Sequence, residues 1–181
     1  MVLALDISSS CIGYCVFNNA GKLLKMSCVK FNSKQTKFER LEKFIVEMRQ
    51  EGIDKMPIET VAIEEPLKKF KGKFSSADTI AILNHFNGMI SSWLYTNYNQ
   101  EPAYYNVNNA RSTVFPGLKV VKEEGSIKHE VWRKVMEKEP QINWRYSPRT
   151  RKLMDENYDM SDAYVVGACH LVVINKQLEA N

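Results

Sequence analysis

Three places along the chain set carboxylates into apolar sequence. Asp6 sits between Ala4, Leu5 and Ile7 in "LALDISSSCIGYCVF" (Leu3 to Phe17), Glu64 and Glu65 close "VAIEEP", and Asp159 and Asp162 stand three apart in "DMSDAYVV". A charged carboxylate in such surroundings is costly unless it is paired or holds a metal. Each has an ordinary use on its own. Asp6 could accept hydrogen bonds from the Ser8–Ser10 turn, Glu64 could pair with a lysine after Pro66, and Asp159 could complement a helix dipole. Their coincidence suggests a shared one. Clustered carboxylates repel one another unless cations neutralise them, and hard oxygen ligands without His or Cys suit Mg²⁺ or Mn²⁺. Two such ions, roughly 3.5–4 Å apart, are the usual device for hydrolysing a phosphodiester.

Elements that could bring these acids together are legible in the periodicity. Residues 2–8, 11–18 and 22–31 read as three strands separated by turns at Ser8–Ser10 and Asn18–Gly21, an antiparallel meander. Residues 35–50 carry Phe38, Leu41, Phe44, Ile45 and Met48 at helical spacing. Thr60 to Pro66 is a short strand that Pro66 ends. A long helix is expected from about Ser76 to Tyr95, a fifth strand in "AYYNV", a helical turn at Asn109–Val114 and a helix from about Ser126 to Lys138. Residues 139–157 lack a clean period and read as a basic loop before a final apolar helix.

The order predicts an α/β fold: a five-stranded mixed sheet, three-strand antiparallel meander plus parallel strands, with helices on both faces. The first and fourth strands can then lie side by side, with the last helix beside them. Strand alternation sends Glu64 and Glu65 to opposite faces, so one of them can face Asp6. The spacing of Asp159 and Asp162 puts both on one side of a helix.

At 181 residues the chain is expected to form one domain, 1–181, large enough for a core without disulfides. Cys11, Cys15, Cys28 and Cys169 form no C-x-x-C pair and read as reduced, core-filling thiols. A cytoplasmic or other reducing compartment is expected, with no leader and no membrane span. Net charge is +4, and residues 111–153 hold eleven Lys and Arg against five Asp and Glu. The remainder is mildly acidic, so this segment suggests a surface for a polyanion.

"ALDISSSCIGYCVF", "VAIEEP" and "DMSDAYVVGACH" resemble, in order, the three acidic motifs of RuvC-like Holliday junction resolvases in the ribonuclease H-like superfamily. The shared pattern includes a Gly-aromatic pair in the second strand, here Gly13-Tyr14, and a histidine in the last helix, here His170. The resemblance implies that Asp6, Glu64, Asp159 and Asp162 bind metal, two Mg²⁺ per site with Mn²⁺ as a possible substitute. It implies that Lys128 stabilises charge at the scissile phosphate and that Arg111 holds DNA backbone. In "LKKFKGKF", Lys68, Lys69, Lys71 and Lys73 suit phosphate contact, while Phe70 and Phe74 suit stacking on an exposed base. The same phenylalanines would also suit a core. Lys119 and Lys122 extend the expected DNA surface.

The function implied is an endonuclease that resolves four-way junctions by paired symmetric cuts, acting on branched DNA as a homodimer. A junction offers two symmetric strands, which two sites related by a two-fold axis would match. The other readings are a ribonuclease H-like nuclease for branched DNA or RNA–DNA hybrids, and a non-catalytic nucleic-acid-binding module.

Overall fold

The computed structural model describes residues 1–66, 77–119 and 126–180. Five strands form one sheet: β1 (Val2–Ile7), β2 (Cys11–Phe17), β3 (Leu23–Lys30), β4 (Thr60–Glu64) and β5 (Ala103–Tyr105). Their spatial order is β3-β2-β1-β4-β5. The meander pairs antiparallel, β1 pairs parallel with β4, and β4 pairs parallel with β5. The sheet is therefore mixed, with β1 at its centre and buried along its whole length. Such a strand needs apolar side chains on both faces, which makes Asp6 the anomaly of "VLALDI".

Alternation along β1 splits the interior in two. Leu3, Leu5 and Ile7 face a core shared with α1 (Lys37–Gln50) and α2 (Ala77–Tyr98), where Phe44, Met48, Phe86 and Ile90 pack. Val2 and Ala4 face the other core, against α5 (Glu156–Glu179), α3 (Val107–Val114) and α4 (Ile127–Lys138). Asp6 has the parity of Val2 and Ala4, so it points to the α5 side.

Local chemistry sets the boundaries. Thr36 and Glu39 form a capping box at the start of α1, each side chain accepting from the other's backbone N–H. Asn106 caps α3 by accepting from the N–H groups of Asn108 and Asn109. That cap stops β5 at Tyr105 and starts α3 at Val107, earlier than the expected Asn109. Helix α2 runs on to Tyr98, past the expected end at Tyr95. Among the described residues no helix is long and apolar enough to cross a membrane. All four cysteines are buried and unpaired.

Two glycines let α5 lie close on the sheet. A Cβ on Gly13 would meet the Asp159 carbonyl oxygen at 2.2 Å, and one on Gly167 would meet the Phe17 ring at 2.7 Å. The first clash is with backbone and has no side-chain escape. Gly13→Ala is therefore expected to destabilise the fold by about 3 kcal/mol, read by denaturant unfolding. An alanine variant as stable as the parent would show that α5 does not need this approach.

Candidate active site

Strand register brings the first two acids together. Leu5 pairs with Ile63, so Asp6 and Glu64 occupy the next positions on adjacent parallel strands. Glu64 shares the parity of Ala62, which lies in the α5-side core. Glu65, one residue past the end of β4, donates its N–H to the Tyr105 carbonyl. Helix α5 supplies Asp162, and Asp6, Glu64 and Asp162 each present an oxygen within 4.8 Å of the others. Asp159, one turn earlier, lines a cleft of about 370 Å³ with Asp6, Ser8, Glu64, Glu65 and Lys128.

The serines after Asp6 do not serve it. Ser8 Oγ donates to the Cys11 carbonyl (2.8 Å) and accepts from the Cys11 N–H (3.0 Å), closing the β1–β2 turn on itself. The Asp6 carboxylate is thus left to the acidic cluster. Lys128 stands at the rim, its Nζ 3.8 Å from Asp162 Oδ2 and its side chain 49% exposed. It can reach a ligand in the cleft.

Arg111 is placed differently from the expected DNA-backbone contact. It is only 6% exposed, and Asp162 only 1%. Nη2 donates to both Asp162 oxygens at 2.7 Å and Nε donates to Oδ1 at 3.0 Å. The guanidinium lies beneath the carboxylate cluster, committed to Asp162, because α3 packs against α5. In this position its guanidinium is turned to Asp162 and away from solvent. Lys119 is exposed, beside a groove with Arg133, Lys134 and Lys138. Lys68, Lys69, Phe70, Lys71, Lys73, Phe74 and Lys122 lie outside the described residues.

No family model matches this chain, and no curated protein matches it in sequence. Solved structures do match in fold. Thermus thermophilus RuvC superposes with a TM-score of 0.64 at 17% identity, covering 97% of this chain and 96% of the other. The fold is that of RuvC. The fowlpox virus resolvase, solved with substrate Holliday junction DNA, gives a TM-score of 0.54 at 15% identity, covering 96% and 97% of the two chains. The yeast mitochondrial Holliday junction resolvase gives 0.57 at 11% identity, covering 94% of this chain and 77% of its own.

Within this RuvC fold the electrostatics of the cluster fit a divalent cation. Burial raises the Asp6 carboxyl well above its usual range, and Glu64, Asp162 and Asp159 push it further. Burial also raises Glu64, with Asp162 adding to it. Asp159 is raised to about 6, chiefly by burial, against the opposing pull of Lys128 and a hydrogen bond from Cys11. Acids held up by burial and mutual repulsion are those that a hard cation would ionise.

The raised Asp159 gives a pH signature. A folded-state value above the unfolded one means that the native protein binds the extra proton between about pH 4 and 6. Stability from this group falls as pH rises through that window and stays reduced above it. Asp159→Asn should therefore melt higher than the parent at pH 7 without divalent cations, and the difference should vanish toward pH 4. A difference in melting temperature that does not change with pH would contradict the raised value.

Sequence reasoning missed two features of the site. The Cys11 thiol lies beside Asp159, and the buried Asn157 side chain pins the segment leading into α5. Neither stands out as a residue type, and only the tertiary approach of α5 to β2 reveals them.

Proposed function

We propose that this chain is a metal-dependent endonuclease that resolves four-way DNA junctions by paired symmetric hydrolysis, the whole of residues 1–181 serving as one nuclease domain. The observation that carries this reading is the convergence of Asp6, Glu64 and Asp162 at the ends of β1 and β4 in a resolvase fold.

Asp6, Glu64, Asp159 and Asp162 would hold two Mg²⁺ ions, for which Mn²⁺ can substitute. When bound, these ions would supply Lewis acidity at the scissile phosphate. The protein's own groups do the rest. The four carboxylates fix the cleft floor, Arg111 locks the orientation of Asp162, and Lys128 stabilises negative charge developing on the phosphate. Asp162 would help to hold the cations with a carboxylate that Arg111 already orients.

A homodimer is supported by one face of α2. Tyr95 is exposed there, and Gly88, two turns earlier on the same side, leaves open space that a second helix could approach. A two-fold pair of sites would match the symmetry of the junction.

The test is cleavage of a substrate panel in Mg²⁺ by the purified full chain. Four-way junction, flap, linear duplex and RNA–DNA hybrid are compared. Symmetric paired nicks confined to the junction are expected. Equal cutting of flaps or hybrids would transfer the site to a broader ribonuclease H-like nuclease, and no cutting of any substrate would leave a binding module.

A further inference from the structure

Residues 145–152, "RYSPRTRK", carry four cations and no carboxylate, and none of them belongs to the acidic cleft. The structure closes this stretch into a defined turn. Tyr146 bridges Leu153, Ser147 N donates to the Lys152 carbonyl (2.8 Å), and Arg151 N donates to the Ser147 carbonyl (2.9 Å). The stem is latched to the protein from within. The buried Asn157 amide accepts from Arg145 N (2.9 Å) and donates to the carbonyls of Arg145 (2.6 Å) and Met154 (2.8 Å). Arg145 in turn donates to the Cys28 carbonyl on β3 at 3.2 Å.

Above this latch Arg149, Arg151 and Lys152 are all exposed. Among the described residues none of the three forms an ion pair. Arg151 is also held at φ 56, a left-handed backbone that arginine rarely adopts. Three like charges fixed on a short turn repel one another, whereas a merely solvated loop would need no such anchoring. The arrangement becomes favourable when a polyanion lies across it. Asn157 is two residues before Asp159, so the same latch positions both the turn and the α5 end of the cleft.

We propose that this turn is a phosphate-backbone clamp, outside the catalytic cleft, for one arm of the DNA substrate. The clamp rests on the nuclease reading above and adds a binding site to it. Its cations would contact phosphate oxygens and fix the register of the arm without reading bases.

Salt-dependent binding tests it. Affinity of the full chain for a labelled four-way junction and for linear duplex is measured by anisotropy between 50 and 200 mM salt, without a catalytic cation. Each lost phosphate contact should flatten the slope of log affinity against log salt by about 0.9. Arg149→Gln/Arg151→Gln/Lys152→Gln should therefore flatten it by about 2 to 3 and weaken junction binding about tenfold or more near 0.1 M salt. Arg151→Gly, which suits the left-handed backbone, should flatten the slope by about 1 without lowering the melting temperature.

An unchanged slope in both variants, each folded, would overturn the clamp and leave the nuclease reading standing. Turn-dependent binding to duplex with no cleavage of any DNA would support the clamp and remove the nuclease. Turn-dependent binding to polyglutamate but not to DNA would overturn the clamp in favour of an acidic protein partner.

Discussion

Asp6→Asn is expected to lower junction cleavage by at least about a hundredfold while leaving junction binding largely intact. Asp6 is central to the cluster, on the middle strand, with burial and three neighbouring acids all raising its pKa. Glu64→Gln and Asp159→Asn should share the loss. Without divalent cations, neutralising Asp6, Glu64 or Asp159 removes repulsion and should raise the melting temperature. Asp162→Asn should lose activity too but lose stability as well, because Arg111 is then left buried against a neutral partner. Cleavage at the parent rate by any one variant removes that residue from the site. Glu65→Gln should cleave normally, since Glu65 lies outside the group of Asp6, Glu64 and Asp162 whose oxygens converge. An active Glu64→Gln beside a dead Glu65→Gln would reverse that assignment.

Arg111→Ala should destabilise the protein by about 3–5 kcal/mol, the usual cost of stripping one partner from a buried ion pair. The argument follows from exposure. At 6% and 1% exposed, neither Arg111 nor Asp162 can recover its lost partner from water. The variant also leaves Asp6, Glu64 and Asp162 within 4.8 Å of one another without the cation beneath them. The double variant Arg111→Ala/Asp162→Asn should be more stable than the two single losses added together, by about 1–3 kcal/mol of coupling. Arg111→Lys should recover only part of the stability, since a point charge cannot reproduce the fork on both oxygens. Mg²⁺ should stabilise Arg111→Ala more than the parent, because added positive charge relieves the same repulsion. Equilibrium denaturation with and without Mg²⁺ reads all four. Strictly additive losses would mean that the pair is not the unit drawn here.

Much of this arrangement is legible in the sequence. Short turns at Ser8–Ser10 and Asn18–Gly21 allow only an antiparallel meander, and that is how β1, β2 and β3 pair. Helix-separated strands after the meander implied the mixed sheet, and its order places β4 beside β1. Alternation through "VAIEEP" could say that one glutamate faces Asp6 but not which, since parity needs the register of β4 on β1. The burial of Arg111 escapes a local reading for a related reason. A basic segment reads as surface, and its partner Asp162 is 51 residues away, so nothing local marks the arginine as buried. The start of α5 at Glu156 and the turn at residues 145–152 were hidden because hydrogen bonds from Asn157, not apolar periodicity, organise them.

The divalent-cation site proposed at the ends of β1 and β4 is tested most directly by titrating the DNA-free protein with Mn²⁺ at pH 8 and following the free ion by EPR. The parent chain is expected to remove about two ions per molecule from the free signal. Asp6→Asn and Glu64→Gln, both folded, are expected to remove far fewer over the same range. Full Mn²⁺ stoichiometry in both variants would contradict a site built on these carboxylates.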